Sequence, residues 1–187
     1  MKSLFRAAAE LQDFLLEHRW QFCFTGGIAL QRRGQPRLTI DIDVSLLTGI
    51  GGEQAYVDVL CGRYQPRIPN AREFALQNRV LLLITDDRIP LDIALAGFPF
   101  EELVIQRATD FQFLKNVKLR TCSAEDLIVL KAFADRSRDW ADIETILIRQ
   151  TGSLDRDYIA DQLAPLCDLK KEPQILKKLN QLFDPSA

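Results

Sequence analysis

Histidine is almost absent from this chain, which has 187 residues and a single histidine, His18. Zinc sites of the HExxH type and of the Cys/His finger type need more histidines than one, so the composition excludes them. His18 also falls in a predicted helix, far from any nucleophile motif, which argues against Ser-His or Cys-His catalysis. If the chain is an enzyme, we therefore expect carboxylates to carry its chemistry, with or without metal ions.

Cysteine is scarce as well, and no two cysteines form a CxxC motif. Their apolar neighbours predict small buried side chains in a reducing compartment; the four residues are Cys23, Cys61, Cys122 and Cys167. The sequence shows no signal peptide, and no apolar run approaches the roughly 18 residues that a membrane span needs. We therefore expect a cytoplasmic protein with no membrane partner.

An excess of positive charge is also missing, since 24 Lys and Arg face 26 Asp and Glu. This balance argues against a protein that mainly binds nucleic acid without specificity, although a local basic patch stays open. With 47% hydrophobic residues, including 11 Phe, the chain can bury a sizeable core and is not expected to be disordered. Its length predicts one domain, or one domain with a small helical extension.

The hydrophobic pattern changes along the chain from mixed helices and strands to helices alone. It predicts an α/β (α+β) core over residues 1–122 and a helical C-terminal region over residues 123–187. The predicted helices are 3–19, 28–33, 53–63, 124–134, 138–149, 154–166 and 173–183. The predicted strands are 21–25, 38–47, 72–77, 79–85 and 89–95, with one more short strand or hairpin around 111–119.

Two aspartates alternate with apolar residues in the clearest strand pattern, over residues 38–47. Side chains at i and i+2 lie on one face of a strand, so Asp41 and Asp43 are expected side by side while Ile40, Ile42 and Val44 face the core. Two adjacent anions are the arrangement that a divalent cation such as Mg²⁺ favours. The alternative is a solvent-exposed strand face with two solubilising acids.

Two further features add to this pattern. Gly26-Gly27 marks a strand-to-helix turn, where glycine lets the backbone approach a phosphate; a simple tight turn is the alternative. Asp92 interrupts an apolar strand as a third metal ligand or a base, or as an ordinary edge-strand residue. Nearby arginines either bind a triphosphate or an RNA backbone or lie on an ordinary surface: Arg32, Arg33 and Arg37.

Together, FTGGIALQRRGQPRLTIDIDV and the later strand acid Asp92 resemble the polymerase-β-type nucleotidyltransferase superfamily. Arg37 and Thr39, before the D-x-D, narrow the resemblance to the AbiEii/AbiGii toxin-type enzymes, which include the MenT toxins. The resemblance implies a mixed β-sheet flanked by helices. It also implies an NTP substrate, two Mg²⁺ ions (or Mn²⁺) on Asp41, Asp43 and Asp92, and a nucleotide site that includes Gly26, Gly27, Arg37 and Thr39.

The segment SAEDLIVLKAFADRSRDWADIETIL is similar to a helix pair of the same toxin group. The resemblance implies that Lys131 contacts the nucleotide phosphates, that Asp139 lies by the site, and that Asp142 supports either role. Lys131, Asp135, Arg138 and Asp142 would share one face of an unbroken helix. A solvated, salt-bridged helix face is the alternative for these charges.

The expected reaction is transfer of a nucleoside monophosphate to an acceptor hydroxyl, in the toxin of a toxin–antitoxin or abortive-infection pair. Two rivals stay open: a non-catalytic nucleotide- or RNA-binding module of the same fold, and a haloacid-dehalogenase-type phosphatase suggested by DIDVS. The phosphatase scheme has no place for the upstream Gly-Gly turn, and the intact acids argue against a decayed site. The acceptor (tRNA or other RNA, protein or a small molecule), the NTP and the antitoxin partner are left open.

Overall fold

The computed structural model describes residues 2–184, which fall into two compact units. The first unit contains the residues up to Ile28 together with Arg37–Cys122, and the second contains Ala29–Pro36 together with the residues from Ser123 onward. Residues 1 and 185–187 of the predicted domains lie outside the described residues. The division of the chain into domains at residue 122 stays a prediction.

Helices and strands alternate up to residue 121, and helices alone follow. The strands are β1 (Phe22–Phe24), β2 (Ile42–Leu47), β3 (Gln65–Pro66), β4 (Val80–Ile84), β5 (Pro90–Ala96), β6 (Thr109–Leu114) and β7 (Val117–Thr121). The helices are α1 (Lys2–Glu17), α2 (Gly26–Arg33), α3 (Glu53–Arg63), α4 (Ala71–Asn78), α5 (Pro99–Gln106), α6 (Ala124–Ala134), α7 (Ser137–Arg149), α8 (Arg156–Lys170) and α9 (Gln174–Phe183).

The first unit is built on one mixed sheet, with the strand order β3-β4-β5-β2-β1-β7-β6 over the described residues. The pairs β2–β5 and β1–β7 are parallel, and the other neighbouring strands are antiparallel. A mixed sheet with flanking helices confirms the predicted fold class. Parallel pairing joins β2 and β5 although four elements separate them in the chain.

One face of this sheet forms the core of the first unit. Ile42 and Val44 of β2 and Leu91 and Ile93 of β5 are buried, because alternate side chains of a strand point to the same face. The apolar stripe of α1 joins this core, as its i, i+4, i+7, i+11 spacing predicts; its buried members include Leu4, Ala8, Leu11 and Leu15. The intervening aspartates of β2 and β5 therefore lie on the opposite face.

The second unit is helical, and α6 packs against α7, α8 and α9. Leu127, Ile128 and Val129 are consecutive and all buried, so α6 is surrounded by apolar contacts on more than one side. Side chains near the end of α7 hold the short segment Ala29–Pro36. Arg149 donates to the carbonyl oxygen of Gly34 at 2.6 Å, and Gln150 donates to that of Arg33 at 2.9 Å.

Two of the predicted strands were wrong, in whole or in part, and one helix was missed. The segment 72–77, predicted as a strand, lies in α4, where Ala71 and Ala75 are buried with the i, i+4 spacing of a helix. The segment 38–41 precedes β2, so the predicted strand begins only at residue 42. Helix α5, which begins with Pro99 at its first turn, was not predicted. Within residues 2–184, no helix is both long and apolar enough to cross a membrane.

Candidate active site

The Gly26-Gly27 turn joins β1 to α2, as predicted, and it lies directly against Asp43. Gly26 has a φ of +47°, which side chains other than glycine rarely adopt, and a Cβ at this position would lie 1.8 Å from Asp43 Oδ2. The backbone N–H of Gly27 donates to the same oxygen at 3.3 Å. Glycine is therefore needed here to let the main chain approach a carboxylate of β2.

Gly27 approaches a second polar residue, Thr39, in the same way. A Cβ on Gly27 would lie 2.1 Å from Thr39 Oγ1, so only glycine leaves room for the threonine. The Thr39 hydroxyl donates to Asp41 Oδ1 at 2.9 Å, and Thr39 is only 5% exposed. The turn and the buried threonine thus position Asp41, which lies one residue before β2 begins.

Asp43 and Asp92 are direct partners across the parallel pair β2–β5. Paired residues of neighbouring strands point to the same face, and such strands lie about 4.8 Å apart. Both side chains are half-buried on the face opposite the core. The backbone of Asp43 is also tied to the glycine turn, because its carbonyl accepts a hydrogen bond from the N–H of Thr25 at 3.0 Å.

The sequence did not point to Arg67, whose guanidinium forms an ion pair with Asp92. Arg67 follows β3 immediately, and its backbone N–H donates to the carbonyl of Leu82 in β4 at 3.0 Å. Leu82 is in turn the register partner of Asp92. The contact depends on the strand order β3-β4-β5, which no local pattern around residue 67 reveals.

The donor set on this face suits Mg²⁺ in its chemistry, because Asp41, Asp43 and Asp92 offer carboxylate oxygens near a backbone turn. Their present arrangement is set by protein contacts: Asp41 accepts from Thr39, Asp43 from Gly27, and Asp92 from Arg67. Among the described residues, no three His, Cys, Asp or Glu side chains are grouped to hold a metal ion.

Lys131 and Asp139 lie together in the second unit, where they form a buried ionic cluster with Asp142. The Lys131 ammonium donates to Asp139 Oδ1 at 3.1 Å and to Asp142 Oδ2 at 2.6 Å, and all three side chains are nearly inaccessible. Burial by itself would raise the pKa of Asp139, but hydrogen bonds from Arg136 and Lys131 outweigh it and hold that pKa below its usual value.

The break between α6 and α7 allows the ionic cluster of Lys131, Asp139 and Asp142 to form. Asp135 ends α6 in the left-handed conformation, with a φ of 54°, so the predicted single face through residues 131–142 does not form. Asp142 reaches Lys131 by the chain reversal instead, while Asp135 accepts a hydrogen bond from the indole N–H of Trp140 at 2.5 Å. The two helices are separate, as predicted, so the condition under which Lys131, Asp135, Arg138 and Asp142 would share one face is not met.

A third buried acid of this unit, Asp126, has a structural explanation. The backbone N–H of Asp126 donates to Ser123 Oγ at 3.0 Å, which confirms Ser123 as the N-cap of α6. Its carboxylate accepts hydrogen bonds from the hydroxyl of Ser123 at 2.7 Å and from that of Tyr158 at 2.6 Å. Asp126 thereby links α6 to α8.

The predicted arginines are spread along the connection after the turn. Arg32 and Arg33 lie in the last turn of α2, and both are half-buried. Arg37 belongs to the first unit, is half-buried, and its guanidinium is 3.4 Å from the carbonyl oxygen of Leu38. Their assignment to a nucleotide or an RNA backbone stays a prediction.

The fold is that of nucleotidyltransferases. An antigenic nucleotidyltransferase-like protein from Paracoccidioides brasiliensis superposes with a TM-score of 0.55 at 15% identity, over 95% of this chain and 93% of the other. The lincomycin-bound lincosamide antibiotic adenylyltransferase LnuA gives 0.50 at 15% identity, over 73% and 92%. The solution structure of the antibiotic-resistance factor ANT(2'')-Ia gives 0.50 at 20% identity, over 89% of each chain.

A family model described as "Nucleotidyl transferase AbiEii toxin, Type IV TA system" matches residues 9–186. The chain therefore belongs to the AbiEii family, and it is a transferase of the nucleotidyltransferase class. This membership supports transfer of a nucleoside monophosphate, and enzymes of this kind generally use divalent metal ions. No curated protein matches the sequence of this chain.

Proposed function

We propose that this protein transfers a nucleoside monophosphate from an NTP to an acceptor hydroxyl, with Asp41, Asp43 and Asp92 as its catalytic carboxylates. The observation that supports this most is the packing of the Gly26-Gly27 turn against Asp43. Neither glycine tolerates a Cβ, because an acid of β2 and Thr39 occupy the space beside them. If Gly26-Gly27 were only a tight turn, nothing would require the carboxylates of Asp43 on β2 and Asp92 on β5 beside it.

In this proposal the three carboxylates would hold two Mg²⁺ ions, or Mn²⁺ in their place. Bound there, the divalent ions would offset the charge of the triphosphate and stabilise the in-line displacement. The acceptor hydroxyl oxygen forms a bond to the α-phosphorus, the α–β phosphoanhydride bond breaks, and pyrophosphate leaves. Asp92 takes the hydroxyl proton and then passes it to water.

The residues around the acids have positioning roles in the proposal. The hydroxyl of Thr39 orients Asp41, and the Gly27 N–H orients Asp43. Arg37 and the backbone at the glycine turn would face the phosphates of the NTP. Binding of the nucleotide by Lys131 and Asp139 stays a prediction from the family resemblance, and both residues also stabilise the second unit through the buried cluster.

Family membership supports a role as the toxin of a toxin–antitoxin pair, with an antitoxin as partner. The acceptor class stays open between RNA, including tRNA, protein and small molecules. Two of the similar structures bear on this choice, because LnuA is a lincosamide antibiotic adenylyltransferase, and another structure of ANT(2'')-Ia contains adenylyl-2''-tobramycin. A localisation in the cytoplasm also remains a prediction.

The proposal is tested by incubating the protein with each α-labelled NTP, Mg²⁺ and a total cell extract, followed by separation of RNA, protein and small molecules. We expect label to enter one of these fractions. The double variant Asp41→Ala with Asp43→Ala should lose at least about 99% of the transfer, because two ligands of the proposed metal site are removed together.

The matched control is Asp86→Ala with Asp87→Ala, which removes the same two charges from an exposed turn of the same unit. This control should transfer label at the wild-type rate, and circular dichroism should show that both double variants are folded. Retained transfer in a folded Asp41/Asp43 variant would refute the site assignment. In cells, growth arrest on induced expression should disappear with the same double variant, if the enzyme is a toxin.

A further inference from the structure

Leu82, Asp92 and Asp43 lie on three neighbouring strands and form a row across the sheet, and Arg67 lies immediately after the next strand, β3. Arg67 bonds to Leu82 through its backbone, Leu82 is the partner of Asp92, and Asp92 is the partner of Asp43. The guanidinium of Arg67 extends past Leu82 and pairs with Asp92 Oδ1. The guanidinium of Arg67 therefore contacts the carboxylate of Asp92, whose neighbour in the sheet is the carboxylate of Asp43.

This ion pair is less exposed than the Arg63–Asp86 pair of the same unit. The side chains of Arg67 and Asp92 are 30% and 34% exposed, whereas those of Arg63 and Asp86 are 42% and 83% exposed. Water screens a pair less when both partners are partly withdrawn from it. Arg67 is therefore expected to influence Asp92 more than an ordinary surface arginine influences its acid.

The charges on the sheet face explain why a cation is needed at this place. Asp43 and Asp92 are direct neighbours on strands about 4.8 Å apart, and like charges at that spacing repel each other. The Arg67 guanidinium offsets this repulsion from the Asp92 side. A divalent cation shared by the carboxylates would offset it too, so the guanidinium and a metal ion perform the same electrostatic task on Asp92.

We propose that Arg67 is a positioning residue that occupies Asp92 Oδ1 and competes with the divalent cation for this carboxylate. The inference rests on the proposed function, since it takes Asp92 as a metal ligand. A cation that coordinates Asp92 Oδ1 must displace the guanidinium from that oxygen, so Arg67 weakens metal binding in the absence of substrate. Metal occupancy is thereby linked to the arrival of the NTP, whose phosphates supply further oxygen ligands.

The test is direct Mn²⁺ binding to the full chain without nucleotide, followed by electron paramagnetic resonance of the free ion. Arg67→Ala should bind Mn²⁺ about fivefold or more tightly than the wild type, because the competing ion pair is gone. Arg67→Lys retains the charge and should lie closer to the wild type. Arg63→Ala is the matched control and should leave the dissociation constant unchanged, because its partner Asp86 is exposed.

An unchanged or weaker Mn²⁺ affinity in Arg67→Ala would overturn the inference, because an ion pair with only a structural role does not compete with the cation for Asp92. Thermal unfolding should show that the variant is folded; if it is not, Arg67→Gln takes its place in the same comparison. The added affinity must also disappear when Asp41→Ala and Asp43→Ala are combined with Arg67→Ala. Mn²⁺ that still binds tightly in that combination would lie elsewhere and would likewise refute the inference.

The two proposals fail in different ways. Tighter Mn²⁺ binding in Arg67→Ala, together with no transfer of label by the wild type, would support the competition at Asp92 and contradict the proposed reaction. Transfer that depends on Asp41 and Asp43, together with equal Mn²⁺ affinities for Arg67→Ala and wild type, would support the reaction and contradict the role of Arg67.

Discussion

The buried ammonium of Lys131 shows how strongly one residue can depend on its partners. It lies between Asp139 and Asp142, and all three side chains are about 5% exposed. A buried charge is tolerated when it is paired, whereas removal of one partner leaves the others uncompensated in a medium of low dielectric constant. The cluster therefore stabilises the second unit only as long as it is complete.

We expect Lys131→Met to lower the free energy of unfolding by about 3–5 kcal/mol, because Asp139 and Asp142 both lose the ammonium while they remain buried, although Arg136 stays paired with Asp139. Urea unfolding measures the change. The control is Lys177→Met on the exposed side of α9, which should stay within about 0.5 kcal/mol of the wild type. Addition of Asp139→Asn to Lys131→Met should recover part of the loss, and full additivity of the two substitutions would contradict a shared cluster.

The residues around the D-x-D show which part of the site the sequence could reveal. Alternation correctly predicted that Ile42 and Val44 are buried and that Asp43 points away from them. It wrongly assigned Ile40 to the core: Ile40 is 69% exposed, and Leu38 is 71% exposed, while Thr39 between them is buried. The strand begins only at Ile42, so the pleat that alternation assumes does not extend to these residues.

At the scale of elements, helix ends explain both correct and wrong predictions. Helix α6 was predicted with its observed bounds, since Ser123 gives a strong N-terminal signal. Helix α4 was taken for a strand because its short apolar run, Phe74 to Leu76, fits either period. Asn70 is a residue type typical of N-caps, although it makes no side-chain cap bond here, and the helix ends at Arg79 with a positive φ, where glycine is the usual signal.

Helix α8 ends at a residue that is poorly suited to its conformation. Lys171 has a φ of 61°, and the backbone bonds from Lys171 to Asp168 (3.1 Å) and from Glu172 to Cys167 (3.0 Å) close the helix end. Glycine normally occupies this position, because a side chain on the left-handed backbone meets the neighbouring carbonyl.

We therefore expect Lys171→Gly to raise the free energy of unfolding by about 0.5–1 kcal/mol, the relief of strain less the added entropy of the unfolded chain. Lys177→Gly is the matched control, since it makes the same exchange inside α9, and it should lower stability by about 0.5–1 kcal/mol. Chemical unfolding of both variants provides the measurement. A loss of stability in Lys171→Gly similar to that of the control would contradict strain at this helix end.

At the scale of the whole molecule, the order of the strands in the sheet determines which distant residues become neighbours, and local sequence patterns do not reveal that order. The predicted acids Asp43 and Asp92 are 49 residues apart, and only the parallel pairing of β2 with β5 makes them direct partners. Arg67 joins them because β3 and β4 follow on the same side. Residue types therefore indicated the acids, whereas the cation beside them required the three-dimensional arrangement.

The same arrangement predicts that the metal ion and the nucleotide stabilise the folded protein together. With Asp43 and Asp92 on one sheet face, Asp41 just before β2 and one guanidinium on Asp92, a triphosphate without a cation meets net negative charge. We expect Mg²⁺ with an α,β-methylene NTP, at about 100 times the dissociation constant, to add about 2.7 kcal/mol to the free energy of unfolding, and hence to raise the melting temperature by about 5–11 °C.

Differential scanning fluorimetry should show that Mg²⁺ alone and nucleotide with EDTA each give a much smaller shift in melting temperature. An equal shift with nucleotide in EDTA would show that triphosphate binding does not depend on the metal, and would favour a binding module over the two-metal enzyme.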